Sequence, residues 1–270
     1  MNLLNWSLWT EIQIFTFFFL FVRVTSLVFF LPLLGDRTIP VIVKILFGLA
    51  LAFVTFPIAW NQGVRVNVEI TQSVLGTLWA VGSEVCFGMM VGFVARWIFD
   101  AVQFAGYFAG TSIGFSIATV FDPHAETETI SLAELKYVLA ALLFLALDGH
   151  HVYITNIVKS FELAPLTKVS FLNQGDTIVS YLILLTSQVI LLGVKLCIPV
   201  IAVIFLVNIT FSLIARVVPQ VNILAVSFTA NIVAGLFIVF VSLPSFHSLL
   251  EGTFDVYAPE LLRFMKLFGN

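Results

Sequence analysis

Five charged side chains interrupt otherwise apolar stretches: Arg23, Glu84, Arg96, Asp100 and Lys195. A charge at mid-span costs about 2.5–3.5 kcal/mol on insertion scales, so each of these needs a partner or water. Arg96 and Asp100 stand four positions apart and can pair along their own helix. Glu84 and Lys195 have no local partner, which leaves three destinations: each other, a neighbouring subunit, or an aqueous lumen. A proton relay is the chemistry such charges would serve, and relays usually draw on several acids or histidines within the spans. Gly110-Thr111-Ser112-Ile113-Gly114 matches G-x-S-x-G, where a strand-turn-helix strains a serine outward as a nucleophile. Here the flanks are apolar and glycine-rich, without strand alternation, so the elbow lacks its frame. Asp148 and His151 would share a helix face, but His150 and His151 point about 100° apart and need a further ligand from elsewhere to hold an ion. The group reads as a hydrated helix end, with Gly149 breaking the span. No Walker loop, dinucleotide fingerprint or CxxC pair occurs. The expectation is a protein with no enzymatic activity, no cofactor and no metal.

Gly106, Gly110 and Gly114 recur every four residues, and Gly88 and Gly92 repeat the spacing. Two readings stay open. In a helix, such a stripe lets another backbone approach closely. Alternatively, Gly106 to Phe121, followed by Asp122-Pro123, makes a poor straight helix, since each glycine costs about 1 kcal/mol relative to alanine. Non-helical backbone survives at membrane depth only where protein buries it or a cavity wets it, and a pore-lining or pore-blocking loop is one such place.

The elements that carry these residues are long and apolar. Ile12 to Leu34 can cross about 30 Å of hydrocarbon, interrupted only by Arg23. The first ten residues carry no Lys or Arg and do not read as a cleavable signal peptide. Gly35 to Pro40 is a turn, Pro40 suits a helix start, and Val41 to Trp60 is a second span. Asn61 to Gln72 reads as a loop and Ser73 to Phe121 as a long apolar, glycine-rich stretch. Asp122 to Glu134 is polar and must reach water. Leu135 to Leu147 is a further span, and Asp148 to Asp176 a short helix plus loop. Thr177 to Ala215 is far longer than one bilayer needs, with Lys195 its one charge and Pro199 its predicted kink. Ile223 to Leu243 is the last span. The tail alternates Glu260, Arg263 and Lys266 with apolar residues, as an interfacial amphipathic helix does.

Composition sets the class. The chain has 270 residues, 60% of them hydrophobic and 10% charged, 29 phenylalanines, and a mean hydropathy of +1.10. Soluble domains carry about 25% charged residues. A net charge of −3 with no basic cluster excludes a nucleic-acid partner. Cys86 and Cys197 lie in apolar runs and read as small core hydrophobes. Lysine and arginine are spread too thinly to set an orientation.

Four stretches together resemble one family, in order and across nearly the whole chain. Arg37-Thr38-Ile39-Pro40 with Lys44 looks like an R-x-I-P-x-x-x-K turn. Ala105-Gly106 through Gly114-Phe115-Ser116 to Phe121-Asp122-Pro123 looks like a glycine-rich central segment. Asp148-Gly149-His150 resembles a G-H that ends a span, and Pro219-Gln220-Val221-Asn222-Ile223 a P-Q-x-N-x-F turn. The family is the FliR/SctT group of type III secretion export-gate proteins, on its flagellar side. The chain departs from it at Leu224, where many relatives have Phe, and at Thr229, where they have Pro.

The resemblance implies an all-α, polytopic membrane protein of long kinked helices and helical hairpins, one subunit of a hetero-oligomeric gate. Residues 1–176 would be similar to FliP, and 177–270 would form a hairpin similar to FliQ plus the amphipathic tail. FliP and FliQ would be partners in one complex, with FlhB and FlhA further partners and exported flagellar proteins the substrates. The location would be the bacterial inner membrane at the flagellar basal body. Gly106 to Phe121 would be the plug of the channel, its glycines giving backbone freedom, Phe115 excluding water, and Asp122-Pro123 anchoring its end. Two rivals are an ion-coupled transporter using Glu84 and Lys195, and an intramembrane enzyme using Ser112 or the His150-His151 pair.

Overall fold

The computed structural model describes residues 10–36, 38–66, 73–116, 131–167, 169, 174–218, 220 and 222–269, and among these there are helices and turns but no strands. Eight helices follow in order: α1 (Glu11–Phe30), α2 (Val41–Asn61), α3 (Val74–Ile113), α4 (Ser131–Ala146), α5 (Gly149–Leu163), α6 (Gly175–Val217), α7 (Ile223–Val241) and α8 (Leu243–Lys266). Four of them, α1, α2, α3 and α6, are long and apolar enough to cross a membrane, and α7 with α8 adds a fifth if the two form one bent crossing. The all-α reading holds, but α3 ends at Ile113 rather than running to Phe121, and α4, expected as a span over Leu135 to Leu147, has 16 residues and is not among the helices long enough to cross. At 40 and 43 residues, α3 and α6 exceed what about 30 Å of hydrocarbon requires.

The chain divides into two compact units. The first takes in Met1–Arg96, Asp148–Leu185 and Val256–Asn270. Its core is built on α1, where Thr16, Phe19, Leu20, Arg23, Val24 and Leu27 recur at three- and four-residue spacing and are all buried. Small residues bring neighbouring helices onto α1. A Cβ on Gly48 of α2 would stand 2.5 Å from Thr25 Oγ1, and one on Gly88 of α3 would stand 2.6 Å from Ser26 Cβ and 2.9 Å from the Arg23 carbonyl oxygen. Gly92 is as tightly placed, 2.7 Å from Phe30 Cβ. The stripe of Gly88 and Gly92 is thus a packing surface.

The second unit is Trp97–Leu147 with Thr186–Asp255. Ala109 and Ile113 of α3, Leu132 of α4, Val200 and Ile204 of α6 and Val239 of α7 form its buried cluster. In the same unit Phe99, Phe144 and Phe254 pack ring to ring, with centroids 5.6–6.1 Å apart.

The tail departs from expectation. Leu261, Phe264 and Met265, the apolar side of α8, are at most 1% exposed, with Phe264 stacked on Tyr181. An amphipathic pattern marks a boundary between apolar and polar surroundings. Here the apolar side is protein rather than headgroup.

Candidate functional site

The glycine-rich segment begins inside a helix. α3 runs unbroken through Gly106 and Gly110 to Ile113, so the loop expected over Gly106 to Phe121 does not begin at Gly106. Propensity is overridden by packing: a Cβ on Gly106 would stand 2.5 Å from the Ala133 Cα of α4, while Ala105, Ala109 and Ile113 are fully buried. Gly235 of α7 closes on the same turn, where a Cβ would stand 2.4 Å from Ile113 Cγ1. The glycine cost of about 1 kcal/mol per residue is offset by backbones in contact.

α3 stops at Gly114, whose φ of 109° places it on the left-handed side. The Phe115 N–H donates to the Gly110 carbonyl at 3.0 Å and the Gly114 N–H to the Thr111 carbonyl at 3.1 Å. This is the Schellman pairing, which satisfies the last carbonyls of the helix and needs a residue tolerant of positive φ. Phe115 turns back onto the buried cluster around Ile113. Ser112 is an ordinary helical serine whose Oγ donates to the Phe108 carbonyl at 2.8 Å. Phe121, Asp122 and Pro123 lie outside the described residues, as do Arg37 and Pro219.

The intramembrane charges divide. Arg23 and Glu84, both fully buried, form an ion pair with Nε to Oε2 at 2.5 Å. Arg23 Nη1 also donates to the carbonyl oxygens of Ala164 at 2.6 Å and Ser160 at 3.2 Å, and the Thr167 N–H donates to Glu84 Oε1 at 2.7 Å. The guanidinium thus closes the carbonyl end of α5, where a cation is favoured, and Phe87 lies 4.5 Å from it, ring centroid to Cζ. Glu84, which has no partner nearby in sequence, finds one 61 positions away within the same chain. Lys195 instead is exposed on α6 and makes no hydrogen bond or ion pair among the described residues. Arg96 and Asp100 are half-buried on α3, and neither is without an interaction.

The two family turns carry local work. Lys44 Nζ donates to the main-chain oxygens of Gly35 at 3.0 Å and Asp36 at 2.8 Å, tying α2 to the turn that precedes it. Asp36 accepts from the Thr38 N–H at 2.9 Å and hydroxyl at 3.0 Å, and the first of these holds its carboxyl below the usual carboxylate range. Pro40 occupies the N-cap of α2. Asn222 caps α7 by accepting from the Ala225 N–H at 3.4 Å, and Gln220 stands in the turn before it. At the start of α5, Asp148 is left-handed with φ 57°, and its carboxylate meets His151 Nδ1 at 3.1 Å. Asp148, His150 and His151 offer ligand atoms within 4.8 Å of one another, with Asp148 and His151 facing solvent.

Sequence reasoning missed two contacts: the carbonyls at 160 and 164 that receive Arg23, and the buried Tyr153 hydroxyl that donates to the Ala95 carbonyl. A main-chain acceptor leaves no trace in residue type, so only the buried arginine signals the first.

Comparison with known proteins places the chain. It is similar to the flagellar biosynthetic protein FliR of Bacillus subtilis strain 168, 26% identical over 254 residues covering 94% of this chain and 95% of that protein. It is 29% identical to FliR of Caulobacter vibrioides over 87% of this chain and 90% of that protein, and 28% identical to FliR of Escherichia coli K12 over 86% and 84%. Residues 14–256, from the first turn of α1 into α8, match one family throughout, and the chain belongs to the bacterial export proteins, family 1.

Proposed function

We propose that this protein is a non-enzymatic subunit of the flagellar type III protein export gate in the bacterial inner membrane, assembled with FliP and FliQ and in contact with FlhB and FlhA. Its relatives are flagellar biosynthetic proteins along nearly their whole length. In this reading Gly106 to Phe121, anchored by Asp122-Pro123, seals the channel until an unfolded flagellar protein passes. The observation that carries it is the Gly114 end of α3. A stem clamped by Ala133 and Gly235 ends abruptly on a left-handed residue, so a rigid helix gives way to non-helical chain at one point. Gly106 to Ile113 is then the fixed base of the seal, and movement starts at Gly114. Residues after Ser116 enter the seal on the family resemblance.

The transporter reading needs Glu84 as a free carboxylate, and Glu84 is occupied by Arg23 and the Thr167 N–H. The test is conductance. Deleting residues between Gly114 and Phe121 in an assembled gate should raise small-ion leakage, and unchanged conductance would overturn the seal.

A further inference from the structure

α6 carries a charge where nothing in its own chain answers it. Lys195 is the only charged residue between Asp176 and Arg216. It lies near the middle of the 43-residue helix, about 30 Å from either end at roughly 1.5 Å per residue. The side chain is exposed and makes no hydrogen bond or ion pair among the described residues. Leu191 one turn before it, Ile198 one turn after it and Leu206 three turns after it share its side of the helix and are 52–62% exposed. Pro199, four positions on, has no N–H to give, so the Lys195 carbonyl loses its helical donor as well.

Beside this charge runs an apolar groove of about 450 Å³, whose walls include Phe104 and Phe108 of α3 and Val194, Ile198, Ile201 and Phe205 of α6. Val194 adjoins Lys195 in sequence and Ile198 stands one turn on, so Lys195 is at the groove's margin. The charge selects what can cover this surface. Water does not suit a face of exposed leucine, isoleucine and phenylalanine. Acyl chains suit the apolar side chains but offer the ammonium no acceptor, and from mid-helix a lysine cannot snorkel to a polar layer. A protein helix meets both demands when its apolar side chains fill the groove and a carboxylate meets the ammonium, because a desolvated charge is tolerated once it is paired. Arg23 follows this rule inside the chain, where its charge on α1 is met by Glu84 of α3.

We propose that the α3–α6 groove seats an apolar helix of a neighbouring subunit, and that an aspartate or glutamate on that helix pairs with Lys195. This rests on the proposed gate being an assembly of several subunits and names one contact within it. Treating the whole purified complex with the apolar reagent dicyclohexylcarbodiimide should join Lys195 Nζ to that carboxylate as an amide, with loss of water, and mass spectrometry of the linked peptides identifies the partner residue. A linkage from Lys195 back to a carboxylate of this same chain would overturn the proposal. Variants give a second readout. Lys195→Arg should recover the other subunits as the native chain does, whereas Lys195→Gln and Lys195→Met should recover at least about tenfold less, because each leaves the partner's carboxylate buried and unpaired. Recovery equal to the native chain's would overturn the contact, with Lys195→Met then pointing to lipid cover and Lys195→Gln to water. Such a result leaves the gate reading standing, whereas a native chain that brings down no other subunit would strike the gate reading and this contact with it.

Discussion

Removing Glu84 should cost more than removing both members of its pair. Glu84→Ala leaves a fully buried guanidinium with two carbonyls and no countercharge, a loss of about 3–5 kcal/mol. Arg23→Met combined with Glu84→Leu replaces the pair by volume alone and should fold better than either single change. Thermal unfolding of the purified complex ranks the three, and a double variant less stable than Glu84→Ala would refute the ordering. Gly114→Ala is a second residue-scale test: at φ 109° a Cβ costs about 1–2 kcal/mol, so secretion should fall while membrane levels are largely kept. Asp36 brings a pH effect. Thr38 lowers its folded pKa, so its contribution is full above about pH 5 and fades as pH falls through the carboxylate range. Asp36→Asn should flatten the acid limb of the stability profile, which a pH series of melting curves would show. At this scale the sequence told that Arg23 and Glu84 each needed a partner. It did not tell which, because burial brings together residues that are 61 positions apart.

Among elements, contacts through glycine make predictions of opposite sign. Gly88→Val and Gly106→Leu should force apart α1 from α3 and α3 from α4, since even a first carbon would stand 2.6 and 2.5 Å from its neighbour. Gly82→Ala should be harmless or slightly favourable to the same helix, because nothing lies within 4 Å of its would-be Cβ. Yield of folded chain in the membrane separates the cases, and a poorly tolerated Gly82→Ala would show that this face of α3 is covered in the assembly. Spacing had already suggested a smooth stripe. The helical state of Gly106 to Ile113 was hidden because intrinsic propensity counts each glycine as a loss, while the compensating approach of Ala133 is tertiary. α8 misled for a related reason: its polar and apolar sides were plain, and the identity of the apolar surroundings was not.

For the whole molecule, the large apolar surface left exposed on α6 and α7, with Phe205, Leu206, Val233 and Phe237 all more than 60% open, calls for cover by partner proteins or lipid. Gentle detergent extraction of a tagged chain should therefore recover FliP and FliQ with it, and a well-behaved lone monomer would favour the transporter reading. Hydropathy and length located the long helices approximately and amphipathic patterning the last one, while the all-α class came with the family resemblance. Four short motifs carried the family, and two of them prove to be local joints: Lys44 closing a turn and Asn222 starting a helix. Which surfaces meet which neighbour lies beyond any one chain's pattern, since lipid and protein reward the same apolar residues.

The bend between the first two helices holds by means that salt does not easily loosen. Lys44 gives its ammonium to main-chain oxygens rather than to a carboxylate, so no mobile counterion competes for its acceptor. The acceptors at 35 and 36 are main-chain oxygens, present whatever the side chains there, and raising ionic strength should leave the two-helix unit intact while exposed pairs such as Glu260 with Arg263 come apart.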